Sequence, residues 1–164
     1  MSTPAFLQGI LGHERGLFRN VVSAVLEEGQ GHRPDPKARS SQELIEHLIG
    51  HGQDLVELLD DGVIHHRNQM PFERVEDAVV TLDETLGGVI DRLGSMDEET
   101  WMSPAKFMAG EHLIMEAPRM QLAWTSWTLC TTVGSSARIC GRWAAQCRLS
   151  TARPPTTRGK RTSC

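Results

Sequence analysis

The first 125 residues contain no cysteine, and the remaining 39 contain neither an acidic residue nor a histidine. Because disulfide-stabilised secreted proteins depend on cysteine, its absence from the larger part of the chain predicts a cytoplasmic protein. No basic residue precedes Arg15 and no long apolar run follows, so we see no secretory signal. No segment approaches the roughly 18 apolar residues of a membrane span, and we expect no membrane partner.

The charge changes sign abruptly along the chain. Residues 1–125 carry 10 basic and 21 acidic side chains, whereas residues 126–164 carry 7 basic side chains and no acidic one. The net charges of −11 and +7 together give the −4 of the whole chain. The acidic body argues against nucleic acid as a partner, and binding through the basic tail is the weaker alternative. We therefore divide the chain into a body, residues 1–125, and an aberrant, partly disordered tail, residues 126–164.

The strongest helix signal lies between Ser40 and Gly62. Ser40 followed by Glu43 is a capping box, in which the hydroxyl and the carboxylate each accept a hydrogen bond from an otherwise unpaired amide. Gly62 is a suitable helix end, because glycine readily adopts the left-handed conformation found there. Residues at steps of three and four form one apolar face that includes a histidine: Leu44, Leu48, His51, Leu55 and Leu58.

His47 and His51 are the candidate metal ligands. They lie one turn apart on the buried side of this helix, where two imidazoles can bind one ion. The alternative is that both are hydrogen-bonded core residues, which is the commoner role of a histidine on an apolar face. We interpret His65 and His66 as a solvated turn, since neighbouring residues do not share a helix face. No catalytic residue is identified.

Two further amphipathic patterns predict helices over residues 4–28 and 72–94, and a fourth helix is expected to begin near Pro118. We interpret residues 102–117 as irregular, and Trp101 before them as a core anchor. Each helix carries an apolar stripe that it cannot bury alone. The chain is therefore predicted to be one all-α domain, an up-down four-helix bundle or a near relative of one.

Three stretches of the body resemble the DinB-like superfamily: residues 39–48 (RSSQELIEHL), 93–101 (LGSMDEETW) and 116–125 (EAPRMQLAWT). The resemblance implies a four-helix bundle that binds a divalent metal ion through histidines, one on the second helix and the others on the last. His47 matches the second-helix ligand, whereas His51 is an additional imidazole that the family pattern does not require. On the last helix the family pattern resembles D-x-x-H-H-R-G-Q-L-x-x-Y-L-R.

The tail departs from this pattern at residue 126, and no histidine follows His112. Its codons nevertheless permit the pattern in another frame, formed by the last base of each codon and the first two bases of the next. In that frame the codons of Trp127 and Thr128 can encode only an aspartate. Those of Cys130 to Thr132 allow two successive histidines, and about thirty successive positions are compatible with the family pattern. We infer that the tail is an out-of-frame translation of a DinB-like gene, shifted near Thr125, which would disrupt the last helix.

The resemblance implies a metal-dependent enzyme of the thiol-linked transferase or hydrolase class, acting on a small molecule. Zinc, nickel, iron and manganese are all candidate ions, because imidazole ligands do not discriminate sharply between them, and a low-molecular-weight thiol is an expected second cofactor. In the chain as it stands the site is expected to be incomplete, with His47 and His51 on one side and no partners opposite. The competing hypothesis is a non-enzymatic helical bundle, acting as a stress or dimerisation protein and forming a homodimer.

Overall fold

The computed structural model describes residues 4–67 and 70–128 of the chain. Its elements, in chain order, are α1 (Pro4–Ser23), a 3-10 helix (Glu27–Gly29), α2 (Ser41–Asp61), β1 (Val63–His65), α3 (Val75–Ser95), α4 (Glu98–Met102), β2 (Pro104–Ala109) and β3 (His112–Pro118). A further helix, α5, occupies residues 119–128 at the end of the described part. None of the helices in this described part is both long and apolar enough to cross a membrane.

The predicted second helix is confirmed at both ends. Ser40 Oγ accepts a hydrogen bond from the Glu43 amide at 3.2 Å, and Glu43 Oε2 accepts one from the Ser40 amide at 2.7 Å. Gly62 follows the helix in the left-handed conformation, with φ of 71°. These caps satisfy backbone groups that would otherwise lack partners, and so determine where α2 begins and ends.

α3 packs against both α1 and α2, and each of these helices contributes to the core. α1 ends at Ser23 rather than near residue 28, because the chain tightens there into a 3-10 turn. That turn places Glu27 at the start of α3, where its Oε1 accepts a hydrogen bond from the Val75 amide at 2.8 Å. α3 begins three residues later than the apolar pattern predicted.

The all-α expectation is wrong in one respect, since a three-stranded sheet in the order β1-β2-β3 joins the helices. β2 and β3 lie in the segment predicted to be irregular and form an antiparallel hairpin, with Gly110 at the turn. β1 pairs with β2 in parallel, with Ile64 opposite Phe107. A register shift between Phe107 and Met108 interrupts the alternation that would have indicated a strand. The fold is therefore mostly helical with a small sheet.

Large aromatic side chains fill the space between the helices. Trp101 is fully buried, as predicted for a core anchor. It lies in α4, whose N-cap Asp97 accepts a hydrogen bond from the Thr100 amide at 2.7 Å. Trp127 of α5 packs edge-to-face on Phe18 of α1, with ring centroids 5.7 Å apart. This geometry is a favourable one for two aromatic rings, so the contact helps to hold α5 against the bundle.

α5 begins directly after Pro118, where a fourth helix was expected. Its first residue, Arg119, is buried and donates from Nη1 to the Leu59 carbonyl at 2.9 Å, which ties α5 to the last turn of α2. The predicted boundary after Thr125 lies within this helix, which is continuous to residue 128. The expected disruption of the helix and the expected disorder of the tail otherwise concern residues 129–164, which lie outside the described residues.

Candidate metal centre

His47 and His51 face each other from successive turns of α2, as their spacing predicted. Their Nε2 atoms are 3.2 Å apart and their ring centroids 4.4 Å apart. His51 is only 2% exposed, and His47 is partly buried. Because residues four apart lie on one face of a helix, this closeness follows from α2 itself. The structure brings both predicted residues to one point, and metal binding by them stays a prediction.

Asp54 lies on the same face of α2, one turn beyond His51. It is 2% exposed, and its Oδ2 accepts hydrogen bonds from two imidazoles, His66 Nδ1 at 2.7 Å and His51 Nδ1 at 3.3 Å. A carboxylate is stable in the interior only when its charge is paired or hydrogen-bonded. The sequence analysis missed Asp54, although its spacing of three from His51 continues the signal that identified the histidines.

His66 reaches the centre from the chain that follows β1, so the prediction of a solvated turn is wrong for this residue. Its backbone amide donates to the Met108 carbonyl at 3.0 Å and extends the pairing of β1 with β2. Its side chain is 17% exposed and is stacked between the rings of His51 and Phe107, at centroid distances of 5.3 and 5.5 Å. The prediction holds for His65, whose side chain is 60% exposed.

The chain after His66 is tied back onto α2 by two contacts. The Met70 amide donates to the Glu46 carbonyl at 3.3 Å, and Arg67 forms an ion pair with Glu57 at 2.9 Å. Both acceptors belong to α2, so the helix that carries the imidazole pair also positions the segment that delivers His66. The third imidazole is therefore placed by tertiary contacts.

The contacts of Asp54 favour one tautomer of each neighbouring imidazole. With Asp54 ionised, its carboxylate only accepts hydrogen bonds, and Nδ1 of both His51 and His66 then donates. A neutral imidazole has one N–H group, and we infer that Nε2 of each ring then carries a lone pair. The His51 lone pair faces His47 Nε2, and a proton on His47 satisfies that contact when no cation does.

The geometry of the imidazole pair fits a divalent ion. For metal–nitrogen bonds of about 2.1 Å, a separation of 3.2 Å between two Nε2 atoms corresponds to an angle of about 100° at the ion. That angle lies between the octahedral and tetrahedral values, so the separation of the two nitrogens is compatible with one shared ion. Imidazole nitrogen is a common ligand for zinc, nickel and iron.

A second grouping lies on the other side of His51. One ligand atom from each of His51, Asp54 and His66 falls within 4.8 Å of the other two. The distance of 2.7 Å from His66 Nδ1 to Asp54 Oδ2 is, however, that of a strong hydrogen bond to a carboxylate. In the absence of an ion a proton satisfies this contact, as it does that between His47 and His51, and His51, Asp54 and His66 form a second candidate site for an ion.

The described part of the last helix adds no ligand to the centre. Residues 119–128 contain no histidine, cysteine, aspartate or glutamate. The last-helix ligands that the DinB resemblance implied are therefore not found in this stretch. Within the described residues, the centre consists of His47, His51 and Asp54 from α2 and His66 from the chain that follows β1.

No protein-family model matches the chain, and neither does any curated protein. Among solved structures, the fold is similar to that of the DinB-like protein YjoA from Bacillus subtilis, with a TM-score of 0.66. The match covers 84% of this chain and 92% of that chain, at 11% sequence identity. Since likeness at this identity reports architecture alone, the conclusion is one of fold: the chain has the fold of a DinB-like protein.

Proposed function

We propose that the protein is a DinB-type metalloprotein that holds one divalent ion between His47 and His51. The observation that carries this proposal is the separation of 3.2 Å between their Nε2 atoms. Two lone pairs at this distance repel one another unless a proton or a cation lies between them. Asp54 supports the proposal, because it occupies Nδ1 of His51 and so directs the Nε2 lone pair towards His47.

The reaction class that we propose is transfer or hydrolysis linked to a low-molecular-weight thiol, with zinc, nickel, iron or manganese as the ion. A bound divalent ion would supply Lewis acidity, which lowers the pKa of water or of a thiol at an open coordination position. His47 and His51 would hold the ion from one side, leaving other positions for a small-molecule substrate. The site of action that we propose is the cytoplasm.

Zinc binding by the full chain tests the proposal directly. Equilibrium dialysis against zinc would compare the unchanged protein with His47→Ala, His51→Ala and His13→Ala. His13 is exposed on α1 and serves as the matched control. We expect the unchanged protein and the control to bind about one equivalent with equal affinity, and both α2 variants to lose it. Equal binding by all four proteins would reject a site on α2.

We also propose that the site is incomplete in this chain because the reading frame shifts near Thr125. Support comes from the alternative frame, which permits the family pattern with two histidines at Cys130–Thr132. The frame-restored protein should therefore bind zinc more tightly than the chain as it stands. The base sequence of the encoding DNA decides the matter, and an alternative frame without histidine codons at these positions would reject the shift.

The second candidate is a non-enzymatic helical bundle, acting in a stress response or as a homodimer. The observation that favours it is the complete hydrogen bonding of His51, whose two ring nitrogens both have partners within the protein. On this account the imidazole cluster is a polar element of the core. It predicts that zinc binding and the oligomeric state are both unchanged by His47→Ala.

A further inference from the structure

Asp54 is a buried acid whose ion pairs within the described residues are both with imidazoles. Its side chain is 2% exposed, so solvent contributes little to the stability of its charge. Both imidazoles meet the same oxygen, Oδ2, at 2.7 and 3.3 Å. Asp54 therefore joins an imidazole of the helical pair, His51, to one that arrives from a different element, His66.

We propose that Asp54 is a positioning residue, which holds His51 and His66 together in the Nδ1–H form. This inference rests on the proposed function for its chemical consequence, since it leaves His51 Nε2 free to bind the ion. A carboxylate that accepts from the distal nitrogen of a ligating histidine orients the ring and strengthens it as a ligand. Asp54 thus acts on the ion through His51 and does not itself bind it.

The same carboxylate fixes the role of His66. With its Nδ1 committed to Asp54, the ring presents Nε2 as a hydrogen-bond acceptor. Stacking between His51 and Phe107 restrains the ring, and its side chain is 17% exposed. Its ring centroid lies 6.3 Å from that of His47, so the three imidazoles form one cluster.

Nitrogen-15 NMR of histidine-labelled, metal-free full chain tests the inference without any ion. At alkaline pH, long-range proton–nitrogen correlations distinguish the Nδ1–H from the Nε2–H form of each ring. We expect the Nδ1–H pattern for two histidines, assigned by their loss in His51→Ala and His66→Ala. Exposed His13 should show the Nε2–H form that free imidazoles prefer. An Nε2–H pattern for both His51 and His66 would overturn the inference.

The zinc affinity, measured by isothermal titration calorimetry, provides a second test of the inference. Asp54→Asn should retain one site with an affinity lowered by about 10–100-fold, the usual effect of removing such a carboxylate. Asp61→Asn is the matched control, because Asp61 is an exposed acid on the same helix. Unchanged affinity in Asp54→Asn, or X-ray absorption showing a carboxylate oxygen of Asp54 on the zinc, would contradict a positioning role.

The two proposals fail in different ways. If the unchanged protein binds no zinc but shows two Nδ1–H histidines, the metal proposal fails and the role of Asp54 in fixing the two rings stands. If the metal-free protein shows the Nε2–H pattern in both rings, yet zinc binds and is lost in His47→Ala and His51→Ala, the metal proposal stands and the role of Asp54 is rejected. Because the NMR experiment does not use Asp54→Asn, it remains decisive even if that variant does not fold.

Discussion

Gly50 of α2 packs closely against the backbone carbonyl of Arg67, and a Cβ atom at Gly50 would be 2.9 Å from the carbonyl oxygen. Real Cβ atoms do not approach a carbonyl oxygen so closely, so the absence of a side chain allows this segment to lie on α2. Arg67 directly follows His66 in the chain. The contact therefore helps to place the His66 ring against Asp54.

Gly50→Ala should displace the segment and weaken the hydrogen bond between His66 and Asp54. We expect a loss of about 1–3 kcal/mol in the free energy of unfolding, the usual cost of overpacking. Gly12→Ala is the control, since a Cβ atom at this exposed position on α1 meets nothing within 4 Å. It should stabilise the helix by about 0.5–1 kcal/mol. Urea unfolding measures both changes in the free energy of unfolding. Equal changes in the two variants would refute the close contact between Gly50 and the Arg67 carbonyl.

Gly62→Ala should be more damaging than Gly110→Ala. Both glycines have positive φ, 71° and 61°, so each alanine pays a backbone penalty of about 1–2 kcal/mol. Only at Gly62 would the Cβ atom also meet a side chain, 2.7 Å from Nη2 of Arg119. Thermal unfolding of the two variants measures the difference. Equal destabilisation would show that the buried guanidinium moves aside without cost.

The ion pair between Arg15 of α1 and Asp83 of α3 should make stability depend on pH. The Arg15 guanidinium donates two hydrogen bonds to the carboxylate, at 2.9 and 2.6 Å, and holds the pKa of Asp83 below its usual range. A lowered carboxyl pKa contributes stability that is present at neutral pH. It is lost as the pH falls below about 4, through the lower pKa of the folded state.

Asp83→Asn should therefore lower the free energy of unfolding at neutral pH by about 0.2–1 kcal/mol, since the pair is partly exposed. The difference from the unchanged protein should shrink on acidification. Glu84→Gln, at the neighbouring exposed position on α3, should leave the pH profile unchanged. Urea unfolding across the acid range gives the profiles. A constant difference at every pH would exclude the titration of Asp83 as its source.

The sequence was sufficient to predict those features that depend on local spacing. The start and the end of α2 were predicted correctly from the capping box at Ser40 and the glycine at position 62, because both signals act within a single helical turn. The pairing of His47 with His51 follows from a spacing of four on the same helix. Asp54 could have been found by the same reasoning, since it lies three residues further along that face.

The features that were missed depend on contacts between distant parts of the chain. His66 is positioned by the hydrogen bond of its amide to Met108 and by the packing of its segment on α2. Neither contact produces a pattern in the sequence around His66. The hairpin of β2 and β3 was missed because its bulge breaks the alternation of apolar residues. Exposed Leu113 and Ile114 on β3 obscure the pattern further.

A crystal structure of the zinc-loaded full chain, with the ion located by anomalous scattering, tests the central claim most directly. We predict one zinc ion at about 2.0–2.1 Å from Nε2 of both His47 and His51. Asp54 should remain hydrogen-bonded to Nδ1 of His51, away from the ion. An ion bound instead by His51 Nδ1, Asp54 and His66, or no ion on α2 at all, would contradict the account.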